Sequence, residues 1–323
     1  MAWRYQKNGQ VERRTLIDQR MEFQPVISII IVNHNARDFL KRCLQSIFEK
    51  ISDVVFEVWV VDNASSDGSI EMIRQEFPEV KIIANKENVG FAKANNQAIQ
   101  KSEGKYIFLL NPDAVLLDSN LKELINFMEQ NDEVGMCGPL IVNRDGSMQR
   151  QCKRGLPTLW NSVSYYLGLW KLFPTNKWWR KTFGGYFLLA KPDDQICEVD
   201  CLSGAAMIVR NETIKEIGLM CEDYIMYMDD IDWCYRAKKA GWKVYYVPLM
   251  KVMHYGGVGG SQLHVYKNIY YFYHSAYLFY KRYLASQYNF VINFVYYVGL
   301  LLAFVLKIVI NLFRKEKIIG SKK

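Results

Sequence analysis

The chain has 323 residues and a net charge of +8; half of its residues are hydrophobic, 14% are aromatic and 23% charged. That composition excludes wholesale disorder, a coiled coil and collagen-like or proline-rich spacers, and no internal repeat of fixed period is present. The length suits two average domains, or one large α/β domain with an appendage. Residues 313–323 carry five Lys/Arg against one Glu, half of the charge excess. A nucleic-acid groove would instead show basic stripes through the folded part, so no nucleic-acid partner is expected and the tail points to something anionic, such as a membrane surface. The seven cysteines, Cys43, Cys137, Cys152, Cys197, Cys201, Cys221 and Cys234, show neither a C-x-x-C pair nor zinc-finger spacing. They read as free thiols, and the polar N-terminus lacks a secretory apolar stretch, so a cytosolic body is expected.

From Val26 the pattern alternates. VISIIIVN (26–33) is a continuous β-branched run, and Phe39, Leu40, Cys43, Leu44 and Ile47 make one helical stripe behind it. Then come VFEVWVVD (55–62), an amphipathic segment over 69–77, VKIIA (80–84), a helical stretch over 91–101, YIFLLN (106–111), a helix over 120–130 and VGMCG (134–138). Apolar strands separated by helices predict a mostly parallel, Rossmann-like central sheet with helices on both faces, binding its ligand at the carboxyl ends of the strands. Asn33 to Asn35, Asp62 with Asn63, and Asn111 to Asp113 are expected to gather at that rim. Residues 150–200 break the rhythm and are rich in Trp, Tyr, Lys and Arg; this excursion reads as aromatic filler or as an acceptor platform. Regular structure resumes over 201–210, with a short helix over 211–217, a helix over 226–241 and the strand VYYVP (244–248). The run 290–313 is the longest apolar stretch and suits a membrane-spanning or interfacial helix, with a core helix as the plain alternative. The division expected is an N-terminal extension (1–25), a main domain (26–260) and a C-terminal aromatic and apolar helical region with a basic tail (261–323).

Three features carry chemistry. Asp62 ends an apolar strand, where it can accept hydrogen bonds from a nucleobase or ribose. Asn111-Pro112-Asp113 closes another strand, and Asp113 can hold a divalent cation, since Mg²⁺ and Mn²⁺ take only one or two protein carboxylates and complete their shell with phosphates and water. Asp229-Asp230-Ile231-Asp232 crowds three carboxylates, which raises the pKa of at least one and suits a general base. His254 is expected on a loop after the 244–248 strand, where it is either structural or a metal ligand.

The series VISIIIVNHN, VVDNASSDGS, ENVGFAKANN, LLNPD, SGAAMIVR, MDDIDWCYRAKKAGW and VPLMKVMH resembles the family 2 glycosyltransferases of the GT-A fold, in particular the rhamnosyltransferase-like branch of bacterial surface polysaccharide synthesis. The resemblance implies that Val32, His34, Asp62 and Asn63 contact the nucleotide of a dTDP- or UDP-sugar, with Lys93 and Asn96 near base and phosphates. It implies Asn111 and Asp113 at the D-x-D position, Asn replacing the first Asp, and a Mg²⁺ or Mn²⁺ ion on Asp113 and His254. It further implies Asp230 as the base, with Asp229 as runner-up, and Ser203, Gly204, Asp232 and Trp233 on the acceptor side. The activity so implied is inverting transfer of a sugar, rhamnose first, to a hydroxyl of a glycan acceptor; a lipid-diphosphate-linked acceptor fits the aromatic-basic excursion and the C-terminal segment, whose composition alone places residues 288–323 on the cytoplasmic face of the membrane. The competing readings are a nucleotidyltransferase, which needs a glycine-rich cradle where Asn33-His34-Asn35-Ala36 stands, and a non-catalytic nucleotide-sugar scaffold, which the acidic cluster argues against. No G-x-G-x-x-G follows a strand, against a dehydrogenase.

Overall fold

The structure is a computed structural model that describes residues 24–257 and 265–313. Most of the N-terminal extension, the end of the glycine-rich run after His254, and the basic tail beyond Phe313 lie outside the described residues. The strands are β1 (Ile27–Asn33), β2 (Phe56–Asn63), β3 (Lys81–Asn85), β4 (Tyr106–Leu110), β5 (Ala114–Leu116), β6 (Val134–Val142), β7 (Lys153–Arg154), β8 (Cys197–Glu198), β9 (Cys201–Leu202), β10 (Ala206–Arg210) and β11 (Lys243–His254). The helices are α1 (Arg37–Lys50), α2 (Ser69–Glu76), α3 (Phe91–Ile99), α4 (Leu121–Glu129), α5 (Leu159–Tyr166), α6 (Lys177–Phe183), α7 (Asn211–Ile217), α8 (Asp229–Lys239), α9 (Val265–Phe279) and α10 (Phe290–Leu312).

Nine strands form one sheet in the order β3-β2-β1-β4-β10-β6-β11-β5, with β8 also paired to β11. The pairs β3–β2, β2–β1, β1–β4 and β6–β11 are parallel, as continuous apolar runs with intervening helices dictate. Side chains of β1 and β4 are almost wholly buried on both faces. Helix α1 covers one face with Leu40, Cys43, Leu44 and Ile47, the stripe its spacing predicts. Strand order reverses between β1 and β4, which makes the carboxyl ends of those two strands the place where a crevice opens.

The sheet is mixed where an all-parallel one would place the site differently. Strand β10 runs antiparallel to both β4 and β6, with Ala206 opposite Leu110, so the loop entering β10 arrives at the rim where β4 ends. Strand β11 is longer than the sequence pattern suggests. It passes its irregularity between Tyr246 and Lys251 and continues to pair with β5, setting His254 opposite Ala114. His254 therefore ends a strand rather than riding a loop, and pairing with β5 is what extends it. The acidic helix is shorter than its pattern: α8 starts at Asp229 because Tyr227 and Met228 both take left-handed backbone, φ 67° and 64°.

Helices α9 and α10 form a hairpin against the main domain. Tyr280 and Tyr296 stack with ring centres 3.6 Å apart, and Tyr277 meets Tyr297. Asn293 accepts from the Tyr280 hydroxyl at 2.6 Å and donates to Ala285 O and Tyr288 O, so this polar interruption of the apolar run is satisfied within the hairpin. What remains outside is apolar: Phe290, Val291, Val295, Leu301, Leu302 and Leu306 are all exposed. Among the described residues α10 is the one helix long and apolar enough to cross a membrane, with mean hydropathy 2.2.

Candidate functional site

The rim is built first from the β1 and β2 ends. Asn33, fully buried, donates from Nδ2 to Asp62 Oδ1 (2.9 Å) and to Ser65 Oγ (3.1 Å), while the Ser65 N–H donates to Asp62 Oδ2 (2.8 Å). Both carboxylate oxygens of Asp62 are thus held, and the Asn33 Oδ1 is left as a buried acceptor with no partner. His34 donates from Nδ1 to Asn63 O (2.8 Å), which leaves Nε2 as the acceptor nitrogen. Asn63 itself donates to Gly90 O and accepts from Asn85. Left-handed backbone at Asn35 and Ala64 folds the two loops toward each other, and Asn35 N to Ser65 Oγ and Ser66 N to Asn35 Oδ1 fasten them. Val32 is half-buried one residue before Asn33, and Lys93 is exposed on α3.

Asn96 is placed differently. It is buried, donates to Met220 O and Glu222 Oε1 (both 2.9 Å), and accepts from Met220 N (3.0 Å). Its amide holds the segment before α8 in place, so its polar atoms are engaged away from any ligand.

The second part of the rim is the end of β4. Asp113 is 5% exposed, and its Oδ1 lies 3.2 Å from His254 Nε2. Asn111 Nδ2 lies 3.1 Å from the same nitrogen. The orientation of the imidazole is fixed from behind. Gln149 donates from Nε2 to His254 O (2.7 Å), which turns its Oε1 toward His254 Nδ1 (2.9 Å). Nδ1 then donates to Gln149 Oε1, and in the neutral ring Nε2 accepts from Asn111 Nδ2 with Asp113 Oδ1 beside it. Cis ligands about 2.1 Å from an octahedral ion lie about 3 Å apart, which the Asp113–His254 separation meets. Among the described residues no group of three or more His, Cys, Asp and Glu side chains could hold a metal; a cation at this strand end would find Asp113, His254 and the Asn111 amide. That is the sparse donor set of an ion that shares its shell with phosphates.

The third part is the first turn of α8. Asp230 Oδ2 accepts from Arg154 Nη2 (2.6 Å) and from Gly204 N (3.1 Å), and Oδ1 accepts from Ile231 N (2.8 Å). Its side chain is 15% exposed. Arg154 is buried, reaches Leu202 O as well, and leaves its Nε without a partner; burial opposes its charge, and the Asp230 carboxylate more than offsets that. Asp229 is buried deeper, and burial together with the Asp230 charge pushes it up to about 7. The consecutive left-handed residues Tyr227 and Met228 are the strained approach to this turn. Ser203 Oγ accepts from Ala205 N.

Asp232 and Trp233 are not at the surface of any cleft. Asp232 is fully buried and clamped by Arg236 Nε (2.8 Å), Tyr224 Oη (3.3 Å) and Tyr283 Oη (2.6 Å). Trp233 is fully buried and donates to Gly218 O. Both belong to the packing behind the acidic turn, where Arg236, Tyr224 and Tyr283 hold Asp232 and Gly218 O takes the indole N–H.

Asp113 and Asp230 are joined by a short path. Asn111 N donates to Ala205 O (3.0 Å), and the preceding residue, Gly204, donates to Asp230. Three further residues complete the site: Asn33 under Asp62, which the sequence places at the rim, and Gln149 behind His254 and Arg154 on Asp230, which it does not single out. Each is paired with a residue 29 to 105 positions away, and neither Gln149 nor Arg154 sits in a periodic segment that would mark it.

Residues 28–186 match the family described as Glycosyl transferase family 2. The chain is 27% identical over 241 residues to the N-acetylglucosaminyl-diphospho-decaprenol L-rhamnosyltransferase of Mycobacterium tuberculosis, covering 71% of this chain and 76% of that relative. It is 26% identical over 239 residues to the rhamnosyltransferase WbbL of Escherichia coli, covering 71% and 83%. In fold it is similar to the mannosyltransferase PcManGT from Pyrobaculum calidifontis, solved in complex with GDP-Man and Mn²⁺, with a TM-score of 0.54 at 15% identity over 78% of this chain; the chain spans 63% of that structure's length. Residues 28–186 thus form a family 2 glycosyltransferase domain on a mostly parallel, GT-A-like sheet, in a chain similar over 71% of its length to proteins named as rhamnosyltransferases.

Proposed function

We propose that the chain transfers a sugar, rhamnose in the first instance, from a dTDP- or UDP-sugar to a hydroxyl of a lipid-diphosphate-linked glycan in surface polysaccharide synthesis, with inversion at the sugar carbon. The observation that carries this reading is the pairing of two unlike centres on one rim: the Asp113–His254 pair at the end of β4, and the Asp230 carboxylate two hydrogen-bonded steps away through Ala205 and Gly204. In the proposed arrangement the nucleotide lies over the β1 and β2 ends, where the open Nε2 of His34 and the orphaned Asn33 Oδ1 offer polar contacts. Asp113 and His254 would hold a Mg²⁺ or Mn²⁺ ion, which stabilises negative charge on the departing diphosphate. Asp230 takes the proton of the acceptor hydroxyl as that oxygen attacks from the face opposite the leaving group. One displacement inverts the carbon and needs no covalent nucleophile on the protein. Arg154 and Gly204 N fix the Asp230 carboxylate, and Asp229, neutral below about pH 7, spares it a second adjacent charge. An acceptor carried on lipid diphosphate is the kind named for the mycobacterial relative, and the apolar outer face of α10 supports placement at the cytoplasmic face of the membrane.

Asp230→Asn is expected to lower turnover by about 10²–10⁴-fold while donor affinity stays near wild type; wild-type turnover, measured as nucleoside diphosphate release, would remove Asp230 as the base. His254→Ala should raise the Mn²⁺ concentration for half-maximal activity, and an unchanged titration contradicts its role as ligand. Asp229 keeps in the native state a proton that the unfolded chain gives up near pH 4, so its contribution to stability falls as pH rises from there and levels off above about 7. Asp229→Asn should therefore raise the unfolding midpoint at pH 8 but not at pH 4, and keep transfer measurable; a loss of transfer with Asp230→Asn still active would exchange the roles of the two. Deleting residues 288–323 should move the protein from the membrane to the soluble fraction; unchanged sedimentation would place the contact elsewhere.

A further inference from the structure

Positive charge in the folded body is concentrated in one stretch. From Arg150 to Lys191 the chain carries eight Lys/Arg and no Asp or Glu, as many positive charges as the net charge of the whole chain. Some of these are committed inside. Lys153 is buried against Lys191 O and Pro192 O, Arg154 is held on Asp230, and Arg150 pairs with Asp193. Lys171, Lys177 and Lys181 are not buried; every residue from Lys171 to Trp178 is exposed, and this stretch includes Leu172 and Phe173. Trp178 is 65% exposed and Leu167 69%, with Trp160 and Val163 of α5 also outside. Beside this stretch lies a recess of about 400 Å³ lined by Arg150, Trp170, Lys171, Arg180 and Asp193 among others.

Large apolar and aromatic side chains held in water beside lysines, with no carboxylate in the segment itself and Asp193 of the adjoining recess paired to Arg150 and Lys153, are the composition of a surface that enters the headgroup layer of a bilayer. The patch also continues the apolar hairpin. Tyr166 of α5 stacks on Tyr273 of α9, and Tyr273 meets Phe304 of α10. We infer that residues 159–183 form a second membrane contact, separate from α10, that binds a bilayer of anionic phospholipid. Trp178, Phe173, Leu172 and Leu167 enter the interface, and Lys171, Lys177 and Lys181 meet lipid phosphates, each lysine adding to the attraction only where the surface is anionic. A zwitterionic surface offers the apolar contacts alone. Because the same excursion carries Arg154 on Asp230, this contact sets the acceptor side of the cleft at the height of the bilayer. The inference does not depend on which sugar is transferred, nor on transfer at all.

The test uses the full chain in nanodiscs, with no donor or acceptor present, and reads amide hydrogen exchange over residues 167–182. In discs containing phosphatidylglycerol these amides are expected to exchange about tenfold more slowly than in discs of phosphatidylcholine alone. The triple variant Lys171→Glu, Lys177→Glu, Lys181→Glu, all at exposed positions, should abolish that difference and leave exchange in β1 and β4 unchanged. Equal exchange in the two kinds of disc overturns the inference. So does protection already present in lipid-free detergent that grows with protein concentration, which would make the patch a contact between copies of the chain.

Discussion

Strand β10 runs against β4 and β6, and from that direction follows the geometry of the cleft. A parallel strand in this place would deliver its preceding loop to the opposite edge of the sheet. Running the other way, β10 delivers Ser203, Gly204 and Ala205 to the end of β4, where Asn111 N finds Ala205 O. Gly204 then stands against Asp230, so the acidic turn of α8 is docked onto the same strand ends that carry Asp113. The antiparallel pairing of β11 with β5 does the same for His254. Two sites distant in sequence become one rim because two strands in an otherwise parallel framework are reversed.

Asp62, His254 and Asp230 at that rim are each held by a side chain from elsewhere in the chain. Gln149 closes a ring of hydrogen bonds with His254, its amide nitrogen on the backbone carbonyl and its amide oxygen on the ring, so backbone and imidazole fix one another. Asp230 accepts three donors, one from a buried guanidinium. Removing such a partner leaves a buried charge uncompensated, a cost of about 3–5 kcal/mol. Held dipoles of this kind need little reorganisation as charge develops, which is where preorganised sites gain most of their effect. The strained backbone at Tyr227 and Met228 is tolerated in that setting, because Asn96 pins the segment just before it through Met220 and Glu222.

The parallel part of the sheet was legible because its strands are apolar on both faces and its helices keep a 3.6-residue stripe. The rim was legible for a related reason: a polar residue that ends a buried apolar run, such as Asp62 or Asp113, has nowhere to point but the strand end. Beyond this the sequence was silent. The split of 201–210 into β9 and β10 depends on pairing with β4 and β6, and the full length of β11 depends on β5. Asp232 looked like a site residue because its neighbours are, yet its direction follows from the helix and its partners include Tyr283, fifty-one residues on. Asn96 looked like a ligand contact for the same reason and proves to be a brace. Gln149 and Arg154 stood in a segment without period, and only the folded chain brings them to their partners.

The clamp on Asp232 has a mechanical side. Its carboxylate sits in the same helical turn as Asp230, and one of its donors, Tyr283, belongs to the chain just after α9, at the root of the α9–α10 hairpin. A turn of backbone is thus gripped at one point by the hairpin and presented at another to the cleft. Tilting the hairpin relative to the sheet would strain this grip, so the pose of α10 and the alignment of Asp230 are set by one lever rather than adjusted apart.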